Sequence, residues 1–161
     1  MTSWGEFATA APEIAADGRR LLEAGGHGSA LLATVRGDAP PRIHPISVAI
    51  VDGRLYAFII VGAAKHADLV EDGRYAMHTH QDPDAPSELM LRGRAHRVDD
   101  PGERGRVARG WTFEADEGYT LFAFDIEQAI LGVRDSADEW PPRYTSWRTP
   151  TTAQPTSSPS T

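Results

Sequence analysis

The feature that most constrains the fold is a pair of apolar segments joined by Asp52-Gly53. The first segment, RIHPISVAIV (42–51), alternates apolar and other residues, which is typical of a strand with one buried face. Asp-Gly is a strong signal for a two-residue turn between antiparallel strands, and RLYAFIIV (54–61) follows it. Residues 42–61 are therefore predicted to form a β-hairpin.

Other segments extend this hairpin into a larger sheet. Strands are predicted at 29–37, 74–81, 89–98 and 119–134, the last being long enough for one bent strand or a hairpin of two. Helices are predicted at 11–28, 63–72 and 100–109, and the last begins with an Asp N-cap, a Pro and a Glu. Residues 135–150 are predicted to be irregular. Six or seven strands with short turns and brief helices predict a small closed β-barrel.

Length and composition predict one globular domain with a polar tail. The chain has 161 residues, of which 40% are hydrophobic, so it can bury a core. The domain is predicted to span residues 1–148. Residues 149–161 are rich in Thr, Ser and Pro and lack an apolar anchor, which predicts disorder.

Charge and cysteine content exclude several classes of function. The net charge of −7 argues against nucleic-acid or anionic-membrane binding, which require a basic surface. The chain has no cysteine, so thiol catalysis, disulfides and Cys-based metal sites are excluded. Because no targeting or membrane-spanning segment is visible in the sequence, we expect a cytoplasmic protein.

The helix predicted at 63–72 has an unusual start. No Ser, Thr, Asp or Asn caps it, and Lys65 lies in its first turn, where the helix dipole disfavours a cation. Gly73 suits the position after its last turn. The residues alone leave two interpretations of Lys65: a solvated surface side chain, or a contact to an anion.

The order of these motifs resembles a known family. A strand with the pattern R-x-H-P-[IV]-S, an Asp-Gly hairpin, an apolar strand and G-x-x-K-x-x-x-L follow one another in PRIHPISVAIVDGRLYAFIIV and GAAKHADL. Over about residues 10–134 the chain resembles the pyridoxamine 5′-phosphate oxidase-like family of FMN-binding split β-barrels. The resemblance implies a six-stranded antiparallel split barrel, a homodimer with FMN at the subunit interface, and an FMN-dependent oxidoreductase acting on a small molecule.

The resemblance also implies which residues bind the cofactor. Lys65 would pair with the FMN phosphate, which explains a cation at an uncapped helix start. Arg42 and His66 would assist Lys65, and Trp147 would cover the flavin. The ring and ribityl chain would lie along Arg42, His44, Pro45, Ile46, Ser47, Ile59 and Ile60. No catalytic side chain is implied, because the flavin itself carries the hydride chemistry.

The sequence departs from the family pattern beside Lys65. Family members often carry hydroxyl residues or arginine where this chain has Ile59, Ile60, Ala63 and Ala64. These changes remove side-chain donors for a phosphate. A deazaflavin or haem therefore remains an alternative ligand, since relatives with this fold bind one or the other. A non-catalytic flavin- or haem-binding protein likewise remains an alternative to an enzyme.

Two further groups of residues allow a structural and a functional interpretation. His78 and His80 share one face of a strand and His96 lies on another, but without a fixed third ligand they are a weak metal signal, so no metal is predicted. Arg92, Arg94 and His96 form a basic stripe that either pairs with carboxylates on neighbouring strands or helps bind an anionic ligand. We identify no second basic cluster for a substrate phosphate, so pyridoxamine phosphate oxidation is not assigned.

Overall fold

The computed structural model describes residues 1–150, and residues 151–161 lie outside the described part. Its helices are α1 (Trp4–Ala10), α2 (Pro12–Leu22), α3 (Ala64–Glu71) and α4 (Pro101–Ala108). Its strands are β1 (Ser29–Thr34), β2 (Arg42–Ser47), β3 (Ala49–Val51), β4 (Arg54–Ile60), β5 (Arg74–His78), β6 (Glu88–Arg97), β7 (Tyr119–Val133) and β8 (Arg143–Arg148).

The strands form one antiparallel sheet that curls into a split barrel. The order is β2-β1-β5-β6-β7-β4-β3, and β8 pairs with β7 beside this path. β7 pairs with β4 through residues 119–124, with β6 through residues 122–132 and with β8 through residues 128–133. This strand therefore connects both halves of the curled sheet.

The concave side of the sheet holds the main apolar core. The largest fully buried side chains in this core are Phe7, Phe122, Phe124, Leu22, Leu32, Leu55, Ile59, Met77, Leu89, Leu91 and Ile126. Helices α1 and α2 contribute Phe7 and Leu22 to the set and so cover one side of the core. Burial of aliphatic and aromatic side chains on this scale is the main force that closes the barrel.

A second, smaller cluster attaches α4 to the convex side. Val107 of α4 packs with Tyr56 and Phe58 of β4. The Tyr56 hydroxyl donates a hydrogen bond of 2.6 Å to Glu103, which also accepts one of 3.0 Å from Arg54. Burial and the Glu103 contact raise the pKa of Tyr56 to about 12, so its hydroxyl remains a donor at neutral pH.

The hairpin and two helices that were predicted from the sequence are confirmed. Asp52 and Gly53 adopt positive φ angles of 48° and 73° between β3 and β4. α3 follows the uncapped start at Ala63, and the Asp100 side chain accepts a hydrogen bond from the Glu103 backbone N–H at the start of α4. These features have local sequence signals, which is why single-sequence reasoning located them.

The N-terminal prediction missed one helix and placed the end of another too late. The helix predicted at 11–28 is α2, which ends at Leu22, and the chain turns before Gly26 adopts a φ of +86°. α1 was not predicted, although Ser3 and Glu6 form a complete capping box at its start. Pro12 separates α1 from α2 because the residue before a proline disfavours the helical conformation.

Several strand predictions need correction. The segment 42–51 is divided at Val48 into β2, which pairs with β1, and β3, which pairs with β4. The strands predicted at 29–37 and 74–81 end at Thr34 and His78. Of the two alternatives for 119–134, the single strand is correct and ends at Val133, and β8 lies within the stretch predicted to be irregular. The structure thus has eight strands among residues 1–150, more than the predicted six or seven.

The first residue of the predicted tail, Thr149, is bonded to the sheet. The tail predicted at 149–161 lies outside the described residues except for Thr149 and Pro150. The Thr149 backbone N–H donates to Glu127, and its hydroxyl donates to the Ile126 carbonyl oxygen. Thr149 therefore belongs to the sheet edge. None of the helices within residues 1–150 has the length and apolar character that a membrane crossing requires.

A bulge where β6 meets β7 requires glycine. The pairing shifts register between Arg92 and Gly93, and a Cβ on Gly93 would lie 1.9 Å from the Asp125 carbonyl oxygen. The backbones of β6 and β7 approach so closely at this point that no Cβ atom fits between them. The position therefore fixes the path of the two longest strands.

Replacing Gly93 by alanine should lower the free energy of unfolding by about 3 kcal/mol, near the upper end of overpacking costs, because backbone must move. Gly105→Ala is the matched control, since no atom lies within 4 Å of its Cβ position in α4. That change should raise the free energy of unfolding by about 0.5–1 kcal/mol. Urea unfolding measures both, and a Gly93→Ala protein as stable as wild type would contradict the bulge requirement.

Candidate functional site

The start of α3 presents free backbone donors and one free cation. Ala63 is the N-cap and makes no side-chain hydrogen bond, so the first amides of α3 have no cap. Lys65 follows in the first turn. Its side chain makes no ion pair or hydrogen bond with any other residue between 1 and 150. A helix start of this kind favours a bound anion.

A buried carboxylate lies one turn further along α3. Asp68 has a fully buried side chain and accepts hydrogen bonds of 2.8 Å from Thr34 and 2.8 and 2.9 Å from Arg42 Nη1. Arg36 Nε lies 3.6 Å away. Burial alone would raise the pKa of Asp68, but the Thr34 and Arg42 hydrogen bonds outweigh it and hold that pKa below its usual value.

His44 completes this group from the same face of β2 as Arg42. Its Nε2 atom is buried and has no hydrogen-bond partner among the described residues. Burial is the main cause that lowers the pKa of His44, and Lys65 lowers it further. A neutral imidazole with an unused nitrogen is unusual inside a protein and is suited to a ligand contact.

Together, Arg36, Arg42, Lys65, His44 and Asp68 form what we call the α3 cluster. Its cations come from β2, α3 and the segment after β1, and one fully buried carboxylate contacts the two arginines. In a chain with a net charge of −7, this cluster is a local cationic site. It is electrostatically suited to a phosphate or carboxylate group.

The other predicted residues of β2 and β4 differ in exposure. Pro45 is exposed on the edge strand β2, where its missing N–H costs no ladder bond. Ile46 packs partly against the core, and Ser47 is half-buried at the end of β2. Ile59 is 1% exposed and belongs to the core, whereas Ile60 is 47% exposed. Among these two, only Ile60 offers a side-chain surface to a ligand.

His66 and Trp147 have protein partners of their own. His66 Nε2 lies 2.9 Å from the Thr120 hydroxyl, and its ring packs edge-on against Phe122. This contact ties the first turn of α3 to the start of β7. Trp147 of β8 packs against Phe7 of α1, with ring centroids 5.1 Å apart. In the single chain, Trp147 is partly buried and packs against the core.

The histidines predicted as a weak metal signal are separated in space. His78 pairs with Met90 on β6, and His96 lies six residues further along that strand, about 20 Å away at 3.3 Å per residue. His78 instead contacts Glu88 at 3.3 Å. Within the described residues, no group of three metal-ligating side chains comes together.

The basic stripe of β6 makes cross-strand contacts with β7. Arg92 hydrogen-bonds Gln128, Arg94 lies 4.0 Å from Glu127, and His96 lies 3.2 Å from Asp125. Of the two interpretations from the sequence, the structural one accounts for these contacts. On the opposite face of the strand, Leu89, Leu91, Gly93 and Ala95 are all buried.

The convex face of β1, β5, β6 and β7 is a second notable surface. Two cross-strand rows lie side by side on it, Leu31–His78–Met90–Ile130 and Ala33–Ala76–Arg92–Gln128. A cavity of about 410 Å³ opens over the second row, between Arg74, Arg92 and Arg148. No helix of the described chain covers this face, although several of its residues are apolar.

Sequence reasoning missed the residues that organise the α3 cluster, namely Asp68, Thr34 and Arg36. Asp68 follows Lys65 by three positions, which places both on neighbouring sites of one helix face. The one sequence signal for a buried Asp68 was its position directly before Leu69, an apolar residue of the same helix. The contacts with Thr34 and Arg36 depend on tertiary packing and have no local signal.

The Asp68 contacts predict a specific response to acid. Because the folded state lowers the pKa of Asp68, its contribution to stability is complete above about pH 4 and is lost as the pH falls further. Asp68→Asn should therefore lose less stability than wild type between about pH 5 and pH 2. Urea unfolding at a series of pH values measures this, with Asp138→Asn, an exposed carboxylate, as the control expected to follow wild type. Equal slopes for wild type and Asp68→Asn would contradict the assignment.

No protein-family model and no curated protein matches the sequence. Solved structures do match the fold. A protein related to general stress protein 26 (pyridoxinephosphate oxidase family) from Clostridium acetobutylicum has a TM-score of 0.59 and 15% identity, covering 82% of this chain and 96% of that one. A NimC/NimA family protein from the same organism has a TM-score of 0.58 and 16% identity, covering 81% and 94%.

A haem-binding protein from Mycobacterium smegmatis is also similar in structure. It has a TM-score of 0.61 and 15% identity, and the match covers 83% of this chain but 57% of that protein. At such identities the likeness concerns the fold alone. The curled antiparallel sheet, the hairpin and the position of α3 agree with that likeness. The chain therefore has the split β-barrel fold of the pyridoxamine 5′-phosphate oxidase-like proteins.

Proposed function

We propose that the protein is an FMN-dependent oxidoreductase that acts as a homodimer on a small-molecule substrate. The observation that carries the proposal is the uncapped start of α3, where Lys65 has no protein partner among residues 1–150. The fold, which pyridoxamine 5′-phosphate oxidase-like proteins share, supports the same proposal.

The α3 cluster fits the phosphate end of FMN. The free amides of the first turn would donate to the phosphate oxygens, and Lys65 would supply a positive charge. Arg42 uses only Nη1 in its contact with Asp68, which leaves its other N–H groups for the ligand. Ala63 and Ala64 contribute backbone groups but no hydroxyl, so Lys65 and Arg42 carry most of the side-chain recognition.

Apolar and neutral groups next to the α3 cluster suit the rest of the cofactor. Ile60 and Val61 are 47% and 52% exposed immediately before the turn into α3. His44 Nε2 would serve as a hydrogen-bond partner for a polar atom of the ring or ribityl chain. When bound, the isoalloxazine ring would supply the hydride chemistry. The residues of this chain would bind and orient the cofactor and limit access of water to it.

The uncovered convex face supports the proposed homodimer. Leu31, Ala33, Ala76, Met90 and Ile130 form an apolar area on it that no part of the described chain covers. Such a face at the centre of a sheet is typical of an interface between subunits. A second copy packed there would bury these side chains and bring residues of both subunits to the cofactor groove.

A haem-binding role is the second candidate. The similar protein from Mycobacterium smegmatis is a haem-binding protein. His44 has the unused nitrogen that an iron ligand requires. The absence of hydroxyl side chains at Ala63 and Ala64 weakens the case for FMN without affecting haem. A deazaflavin would use the same cationic helix start as FMN.

The absorbance spectrum of the purified protein, with mass identification of the released ligand, separates these candidates. Flavin bands that bleach when NAD(P)H is added would support the oxidoreductase, whereas a Soret band would support haem. The mass distinguishes FMN from a deazaflavin. A colourless protein that takes up no added FMN would contradict the proposal.

Lys65→Ala should weaken FMN binding by about 1.5–3 kcal/mol, because a charge-assisted contact with the phosphate is lost. Lys65→Arg keeps the charge and should lose less. Arg19→Ala, which removes an exposed cation of α2 far along the chain, should have no effect. Titration of flavin fluorescence measures the affinity, and an unchanged value for Lys65→Ala would contradict the proposed contact.

The composition offers an independent test of the same contact. Lys65 is the only lysine of the chain. Acylation of its ε-amino group can therefore be followed by mass spectrometry of a single peptide, and saturating FMN should slow that reaction while riboflavin, which lacks the phosphate, should slow it less. Equal modification rates with and without FMN would argue against the phosphate contact.

The homodimer gives a further prediction. Ala76→Glu places a large charged side chain in the middle of the apolar rows on the convex face and should convert the dimer to a monomer, because its bulk and charge would have to be buried in the interface. Val70→Glu, at an exposed position of α3, is the control and should leave the dimer intact. Sedimentation velocity measures both, and a dimer that persists in Ala76→Glu would exclude this face as the interface.

A further inference from the structure

We infer that Asp68 is a positioning residue for the phosphate site, holding Arg42 so that its free N–H groups serve the phosphate monoester of the bound nucleotide. The inference rests on the proposed function. It adds a residue that does not itself touch the ligand, and it assigns the α3 cluster to a phosphate monoester rather than to an anion in general.

Asp68 holds Arg42 at one corner of its guanidinium group. Its Nη1 atom lies 2.9 and 2.8 Å from the two Asp68 oxygens, so one corner of the guanidinium is fixed. Its Nε and Nη2 atoms have no hydrogen-bond partner within residues 1–150. The side chain is 37% exposed. An arginine anchored at one corner retains donors for a second anion at a low entropic cost.

The Asp68 carboxylate that holds Arg42 is itself fixed in place. The Asp68 side chain is fully buried and also accepts a hydrogen bond of 2.8 Å from the buried Thr34 hydroxyl. Thr34 belongs to β1 and Asp68 to α3, so the carboxylate is fixed to both elements. Since Lys65 precedes Asp68 by one helical turn, the same turn of α3 carries the free cation and the anchor for Arg42.

A positioning role for Asp68 and a role in charge balance alone have different consequences for phosphate binding. If Asp68 served only to neutralise nearby arginines, removing its charge would make the α3 cluster more cationic and would strengthen phosphate binding. If it holds Arg42, removing its charge would release the guanidinium and weaken phosphate binding. The two roles therefore predict opposite signs for one substitution.

The experiment compares FMN with riboflavin, which differ in the phosphate. The ratio of their dissociation constants reports phosphate recognition alone, since a general disturbance of the fold would change both affinities together. Fluorescence titration of full-length Asp68→Asn and of wild type with each flavin gives the ratio. Circular dichroism and urea unfolding confirm that each variant is folded.

Asp68→Asn should reduce the preference for FMN over riboflavin by about tenfold, the size expected for a weakened charge-assisted contact. The matched control is Asp72→Asn at the other end of α3. Asp72 pairs with Arg74 and accepts from the Gly37 backbone N–H, away from Arg42 and Lys65. It should leave the preference unchanged.

An unchanged or increased FMN preference in Asp68→Asn would overturn the inference while leaving the proposed function intact. A wild-type protein that binds neither flavin would overturn both. If Asp68→Asn does not fold, Thr34→Val loosens the same carboxylate without changing any charge. It should lower the FMN preference by about twofold to threefold, as for one weakened neutral hydrogen bond, and no change there would overturn the inference.

Discussion

The continuous backbone ladder of β7 is the constraint on which the rest of the structure depends. Its fifteen residues pair with β4 first, with β6 along most of its length and with β8 at its end. A single strand that serves three neighbours must bend, and the bulge at Gly93 takes up that bend. Because α3 is tied to β7 through His66 and Thr120, the curvature of this strand also sets where the candidate site lies.

The two faces of the curled sheet have different electrostatic roles. Tyr56, Glu103 and Arg54 attach α4 to the convex side through a satisfied polar contact. The α3 cluster is only partly satisfied: Lys65 is free and His44 Nε2 has no partner in the described chain. A buried polar atom such as His44 Nε2 is costly to leave without a hydrogen-bond partner. The free cation of Lys65, together with this nitrogen, favours the α3 cluster as the site of function.

The parts predicted correctly from the sequence have local causes, such as the Asp52-Gly53 turn and the Asp100 cap. The uncapped start at Lys65 was also visible in the sequence. Strand β8 was missed because its residues are mostly exposed and lack alternation, so only pairing with β7 makes them a strand. The role of Asp68 was missed for a related reason, since Thr34 and Arg42 approach it only when the sheet has closed.

Strand β2 lies at the edge of the sheet and pairs through its backbone with β1 alone. The Arg42–Asp68 ion pair is therefore a major link between this edge and α3. Edge segments with few partners open locally at a lower free energy than the core does. A ligand that contacts Arg42 and α3 together would bind only the form in which β2 is paired with β1. Binding of the ligand would therefore stabilise this edge of the sheet. In this barrel, part of the affinity for an anion would thus be set by how readily β2 detaches.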